Sequence, residues 1–155
     1  SVLLQLNWER ISVDKNVSVL LPQTSKKQII EGKVAWHGDI DSVGKCLVVI
    51  SDLAQMGMDA KSLAAALKKK ETYTSLKNGI LLGSDGKVTN EKITTFKGYP
   101  AYKIDFVVKE EGSSYTSRSL SFFIGSKMYM ISVMSTTGTS HTAAYAKILE
   151  SVIIK

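Results

Sequence analysis

The sequence has little of what lets a small protein do without a large core: one cysteine (Cys46) and two prolines (Pro22, Pro100) in 155 residues. A lone cysteine rules out an internal disulfide, a CxxC redox pair and a cysteine-based zinc set. Arginine is scarce too, with Arg10 and Arg118 the only two among 20 basic residues. Paired hydrogen bonding to phosphates and base edges favours the planar guanidinium over the ammonium. Nucleic acid is therefore not the expected partner. No stretch approaches the ~20 consecutive apolar residues that a membrane-spanning helix requires. Histidine is limited to His37 and His141, which leaves little for general acid–base chemistry.

What is present describes an ordinary domain: 44% hydrophobic, 22% charged, 11 glycines. A chain of this length buries roughly 68–70% of its unfolded surface, so residues 1–155 are read as one domain needing no metal or cofactor to fold. The net charge of +6 is local, because residues 61–109 hold ten Lys against four acids and the remainder is balanced. Within that stretch Lys68, Lys69 and Lys70 read either as a solvated helix end or as the footprint of an acidic partner. Cys46 sits in an apolar run over residues 45–50, the pattern of an inert buried thiol.

Period-two alternation at residues 8–13 and 17–21 around Asp14-Lys15-Asn16 predicts an opening β-hairpin. Pro22 ends its second strand, and residues 23–28 read as a polar connector. Two more strands, 33–37 and 45–50, are joined by a turn-rich segment over 38–44. Asp59 is a helix cap, and Ala60, Leu63, Ala64 and Leu67 form an apolar stripe, so a helix is predicted over about 59–78, ended by Asn78-Gly79. Residues 101–109 place Tyr102, Ile104, Phe106 and Val108 on one strand face. Residues 119–124 and 127–134 form a hairpin about Gly125-Ser126, apolar on both faces and thus covered on both. A second helix, about 140–152, is capped by Ser140 or Thr139 and buries Tyr145, Ile148, Leu149 and Val152. The order of elements is α+β.

The residues form no recognisable catalytic or ligand-binding constellation. The segment from Gly38 to Lys45 has the wrong spacing for a phosphate loop, and no GxGxxG occurs. Asp39, Asp41 and Gly44 fit part of a calcium loop, but Val43 and Ile50 stand where acids belong. His37 would add one ligand, giving a cation set without a fourth partner. There is no Gly-x-Ser-x-Gly elbow, and His141 reads as a neutral or solvated imidazole in the first turn of the last helix. The aromatics are placed either to fill the core or to form a stacking surface, with Tyr73, Tyr99 and Tyr115 the exposed candidates. Met56, Met58, Met128, Met130 and Met134 are read as core or as an adaptable apolar pocket.

Six segments together resemble the PsbP-like fold: residues 8–13 (WERISV), 17–22 (VSVLLP), the mid-chain helix, 98–101 (GYPA), 127–133 (KMYMISV) and the closing helix ending in 148–151 (ILES). That resemblance implies an α/β/α sandwich with a central, mainly antiparallel sheet and no catalytic motif. It implies a non-catalytic accessory or interaction domain of an exported bacterial protein, secreted or lipid-anchored, in the cell envelope. A start at Ser1 fits a removed leader or an artificially trimmed start, and a membrane association would arise only through such a leader. The expected partner is another protein, met through Lys68, Lys69, Lys70, Tyr73, Tyr99 and Tyr115. The alternative is a small-molecule or lipid binder.

Overall fold

A computed structural model describes residues 6–155; positions 1–5, and with them the expectation attached to Ser1, lie outside the described residues. The opening hairpin is present as β1 (Trp8–Ser12) and β2 (Val17–Pro22). Its turn is made by Asp14, whose Oδ1 accepts the backbone N–H groups of Asn16 and Val17 at 2.8 and 2.9 Å, a side chain standing in for backbone.

The main sheet holds β3 (Lys26–Ile30), β4 (Lys33–Asp41), β5 (Gly44–Asp52), β6 (Lys87–Phe96), β7 (Tyr99–Glu110), β8 (Ser113–Ile124) and β9 (Lys127–Thr136). Their order is β3-β4-β5-β9-β8-β7-β6, and every pairing is antiparallel. The β8–β9 turn is tight because Gly125 takes a positive φ of 60°, a conformation side chains resist. A two-residue strand, β10 (Ile153–Ile154), adds to β2 and completes a separate three-stranded sheet.

Three of the sequence expectations take a different form. Residues 23–28 run into β3, an edge strand exposed along its whole length, so no apolar alternation marks it. The 38–44 segment is no open loop: β4 and β5 continue through it, with an irregularity between Asp39 and Asp41 and a turn at Ser42 and Val43. The stretch expected as one helix is two, α1 (Ala60–Ala66) and α2 (Lys70–Leu81), the first capped by Asp59 as expected. Lys69 between them is extended (φ −111°, ψ 134°). The hydroxyls of Thr72 and Tyr73 donate to the carbonyls of Ala66 and Leu67 at 2.6 and 2.7 Å. Those bonds satisfy the free carbonyl end of α1 from side chains six residues ahead, which no periodicity reveals. α2 also passes through Asn78 and Gly79 without stopping.

The last helix, α3 (Thr142–Ser151), is capped at His141 and not at Ser140 or Thr139. It lies with the small sheet over one face of the main sheet, where Tyr145 and Ile148 join Val48, Phe122, Tyr129, Ile131 and Val133 in one core. On the opposite face α2 sets Tyr73 against Tyr102, Ile104, Phe106 and Val108 of β7, the alternation read from the sequence. Each fully buried side chain of this size contributes about 1.5–3 kcal/mol. The result is an α/β/α sandwich.

Candidate functional site

The helices leave part of the second sheet face open. α2 packs against β7, while β5 and β9 lie farther across the sheet. Pairing sets Val49 opposite Met130, and Ser51 and Phe123 opposite Met128. Strand alternation therefore puts these five side chains on one face. A 3-10 turn (Leu53–Met56), Met58, Leu63 of α1, and Leu76 and Ile80 of α2 form the opposing wall. Between wall and floor is a groove of about 510 Å³, within the size range of small-molecule sites.

Four of the five methionines singled out in the sequence, Met56, Met58, Met128 and Met130, line this groove. Met134 does not; it lies farther along β9 in a smaller hollow of about 340 Å³ with Lys45 and Tyr115. Unbranched thioethers re-pack around ligands of different shape. One lining group is out of keeping with an idle surface: Ser51 is 3% exposed, and its hydroxyl has no hydrogen-bond partner. An unsatisfied buried polar group costs about 1–3 kcal/mol. Lys33 is the one charged side chain on the lining.

A second polar cluster was invisible in the sequence. His141 Nε2 donates to Asp41 at 2.8 Å, and Nδ1 lies 2.7 Å from Ser135 Oγ. The imidazole is 7% exposed, so of the two readings the solvated one does not hold. Gly44 makes this possible, since a Cβ there would come within 2.4 Å of the ring. Burial alone would raise the Asp41 carboxyl, but the hydrogen bonds from His141 and the Val43 N–H hold it below its ordinary value. Serine, histidine and aspartate are thus in contact, but Ser135 is 1% exposed in a strand paired on both sides. A nucleophile must reach its substrate; this arrangement pins the start of α3 to the β4–β5 turn.

The six residues expected to form an interaction surface fall in three places. Lys68, Lys69 and Lys70 are exposed at the α1–α2 junction. Tyr73 is in the core at 6% exposure, 5.7 Å from the Tyr102 ring, and burial pushes its phenol up. Tyr99 is half-buried beside the β6–β7 turn, and half-buried Tyr115 lines the smaller hollow. Lys70 and Tyr73 do share a shallow hollow with Lys77 and Glu91, where Glu91 accepts from Lys77 at 3.2 Å and from the Tyr102 hydroxyl at 2.6 Å. Asp39, Asp41 and His37 do not gather: among the described residues no three His, Cys, Asp or Glu side chains are placed to hold a metal ion. Nor is any helix among them long and apolar enough to cross a membrane.

A seven-stranded antiparallel sheet with helices on both faces defines a class of α+β sandwich, and solved structures narrow it to the fold shared by PsbP and Mog1p. PsbP (CyanoP) from Synechocystis sp. PCC 6803 is 13% identical with a TM-score of 0.64, the match covering 97% of this chain and 94% of that one. The Saccharomyces cerevisiae Ran-binding protein Mog1p is 8% identical with a TM-score of 0.56, covering 96% of each chain. A protein from Bacteroides thetaiotaomicron VPI-5482 is 12% identical with a TM-score of 0.54, covering 90% of this chain; the chain spans 45% of that protein's length. No family model and no curated protein matches the sequence. At these identities the likeness establishes the fold alone, and the PsbP-like architecture expected from the sequence is the one found.

Proposed function

We propose that this chain is a non-catalytic accessory or interaction domain that works by holding an apolar ligand in the methionine-lined groove. One observation carries the proposal: the 510 Å³ groove opens beneath α1 and α2, while the other sheet face is filled by α3 and the small sheet. Four adaptable methionines and an unpartnered buried hydroxyl line it. A space of this size suits one small molecule or lipid chain, whereas a stable protein interface buries about 800 Å² on each partner. A protein partner is the second reading. It is supported by the likeness to a Ran-binding protein and by Lys68, Lys69 and Lys70, which an acidic surface would complement. An exported bacterial setting belongs to the same proposal, rests on the family resemblance, and is tested by fractionating cells that express the full-length gene.

The test of the groove is a titration with the uncharged dye Nile red. Saturable binding of one dye per chain, lost when Ser75 at the exposed rim is replaced by Trp, is the expected result. A protein that folds and gives no saturable signal contradicts the proposal.

A further inference from the structure

We infer that the groove is built for an aliphatic monocarboxylate, its head held by Lys33 and Ser51 and its chain by the methionines. This rests on the groove reading above and names the class of ligand. The argument starts from register. Val34 pairs with Ile50, so the next position on each antiparallel strand sets Lys33 beside Ser51, on the same sheet face as Ala35 and Val49. Both line the groove. One end of an apolar space therefore has a lysine and a serine at neighbouring strand positions.

Neither group is committed elsewhere. Lys33 forms no ion pair among the described residues, and the Ser51 hydroxyl is buried without a partner. The other buried-side hydroxyl of the lining, that of Thr72, already donates to Ala66. No carboxylate lines the groove to compete for the lysine. A lysine is a point charge on a flexible stem, and a single one balances a single negative charge. A phosphate monoester would call for more cations than the lining has. A carboxylate can accept from the ammonium and from the Ser51 O–H together, bonds strengthened by the charge. Beyond the head, Met128 follows Ser51 in register and Met130 lies on the same face, so the continuing surface is thioether and aliphatic. Flexible walls of this kind adapt to the changing shape of a flexible chain.

The test uses the whole chain with Nile red bound, displaced by dodecanoate or by dodecan-1-ol, which share a chain and differ in charge. Dodecanoate is expected to displace the dye at least tenfold more tightly than the alcohol. Lys33→Glu, a change at an exposed position, should abolish that preference while the alcohol still competes. Ser51→Ala should weaken dodecanoate several-fold and leave the melting temperature unchanged or raised, since it removes an unpartnered hydroxyl; a purely structural serine would give a lower one. Equal affinities for acid and alcohol, or a Lys33→Glu variant that keeps the preference, would overturn the carboxylate assignment and leave the groove reading standing. Failure of Nile red itself to bind would overturn the groove reading beneath it.

Discussion

The Tyr129 hydroxyl donates to the carboxylate of Asp14, tying the turn of the small sheet to the central strand of the large one. The same carboxylate holds the Asn16 and Val17 N–H groups and takes the Lys127 ammonium at 3.3 Å. Asp14→Ala leaves the buried tyrosine hydroxyl without its acceptor and takes the side-chain acceptor from the Asn16 and Val17 N–H groups. A loss of about 2–3 kcal/mol is expected, the scale of hydrogen bonds to a charged group. Urea unfolding measures it. Combining the change with Tyr129→Phe should cost less than the two separate losses added, because both remove one contact; additive losses contradict the link.

The same group sets a pH dependence. Burial alone would raise the Asp14 carboxyl, but hydrogen bonds from Tyr129, Asn16, Val17 and Lys127 outweigh it and hold the group below its ordinary value of 3.8. Asp41 is lowered in the same direction. A carboxyl depressed in the folded state contributes stability that is complete above the unfolded value and is lost as pH falls through the folded one. Urea midpoints should therefore drop as pH falls below about 4, and less steeply in Asp14→Asn than in wild type. Parallel curves for the two proteins contradict the assignment.

Gly44→Ala brings a methyl group to 2.4 Å from the His141 ring, and both residues are buried. The ring must move off Asp41 or the β4–β5 turn must open. Overpacking of this kind costs about 1–3 kcal/mol, and in a domain of this size each kcal/mol is worth about 2–4 °C. Calorimetry should show a melting temperature several degrees lower. An unchanged one would mean that the histidine is not held where the structure puts it.

Cys46 is 2% exposed, and burial pushes its thiol up to about 11. Thiolate is the reactive form. The folded protein should react negligibly with Ellman's reagent at pH 8 and release one equivalent on unfolding in urea. Rapid reaction of the folded chain contradicts the buried assignment.

What could be read from the sequence follows the reach of the signal. Tyr102, Ile104, Phe106 and Val108 announce a strand because each buried position repeats two residues on, and the Asp59 cap is a matter of adjacent residues. β3 gave no signal because all five of its side chains face solvent. The break between α1 and α2 was hidden because both helices carry apolar stripes and the capping hydroxyls of Thr72 and Tyr73 act from the next helix. Asp41, Ser135 and His141 meet only through the pairing of β4, β5 and β9, and Lys33 meets Ser51 only through the β4–β5 register. The methionines were visible as a residue type suited to an adaptable site. That four of them face one groove, and that Met134 stands outside it, depends on tertiary structure.

That separation supplies the most direct test of the central claim. In the protein labelled with ¹³C at the methionine methyls, titration with dodecanoate is followed by NMR. The account predicts saturable shifts at Met56, Met58, Met128 and Met130, with Met134 unmoved as an internal control. Shifts confined to Met134, or no shifts in a folded protein, would contradict it.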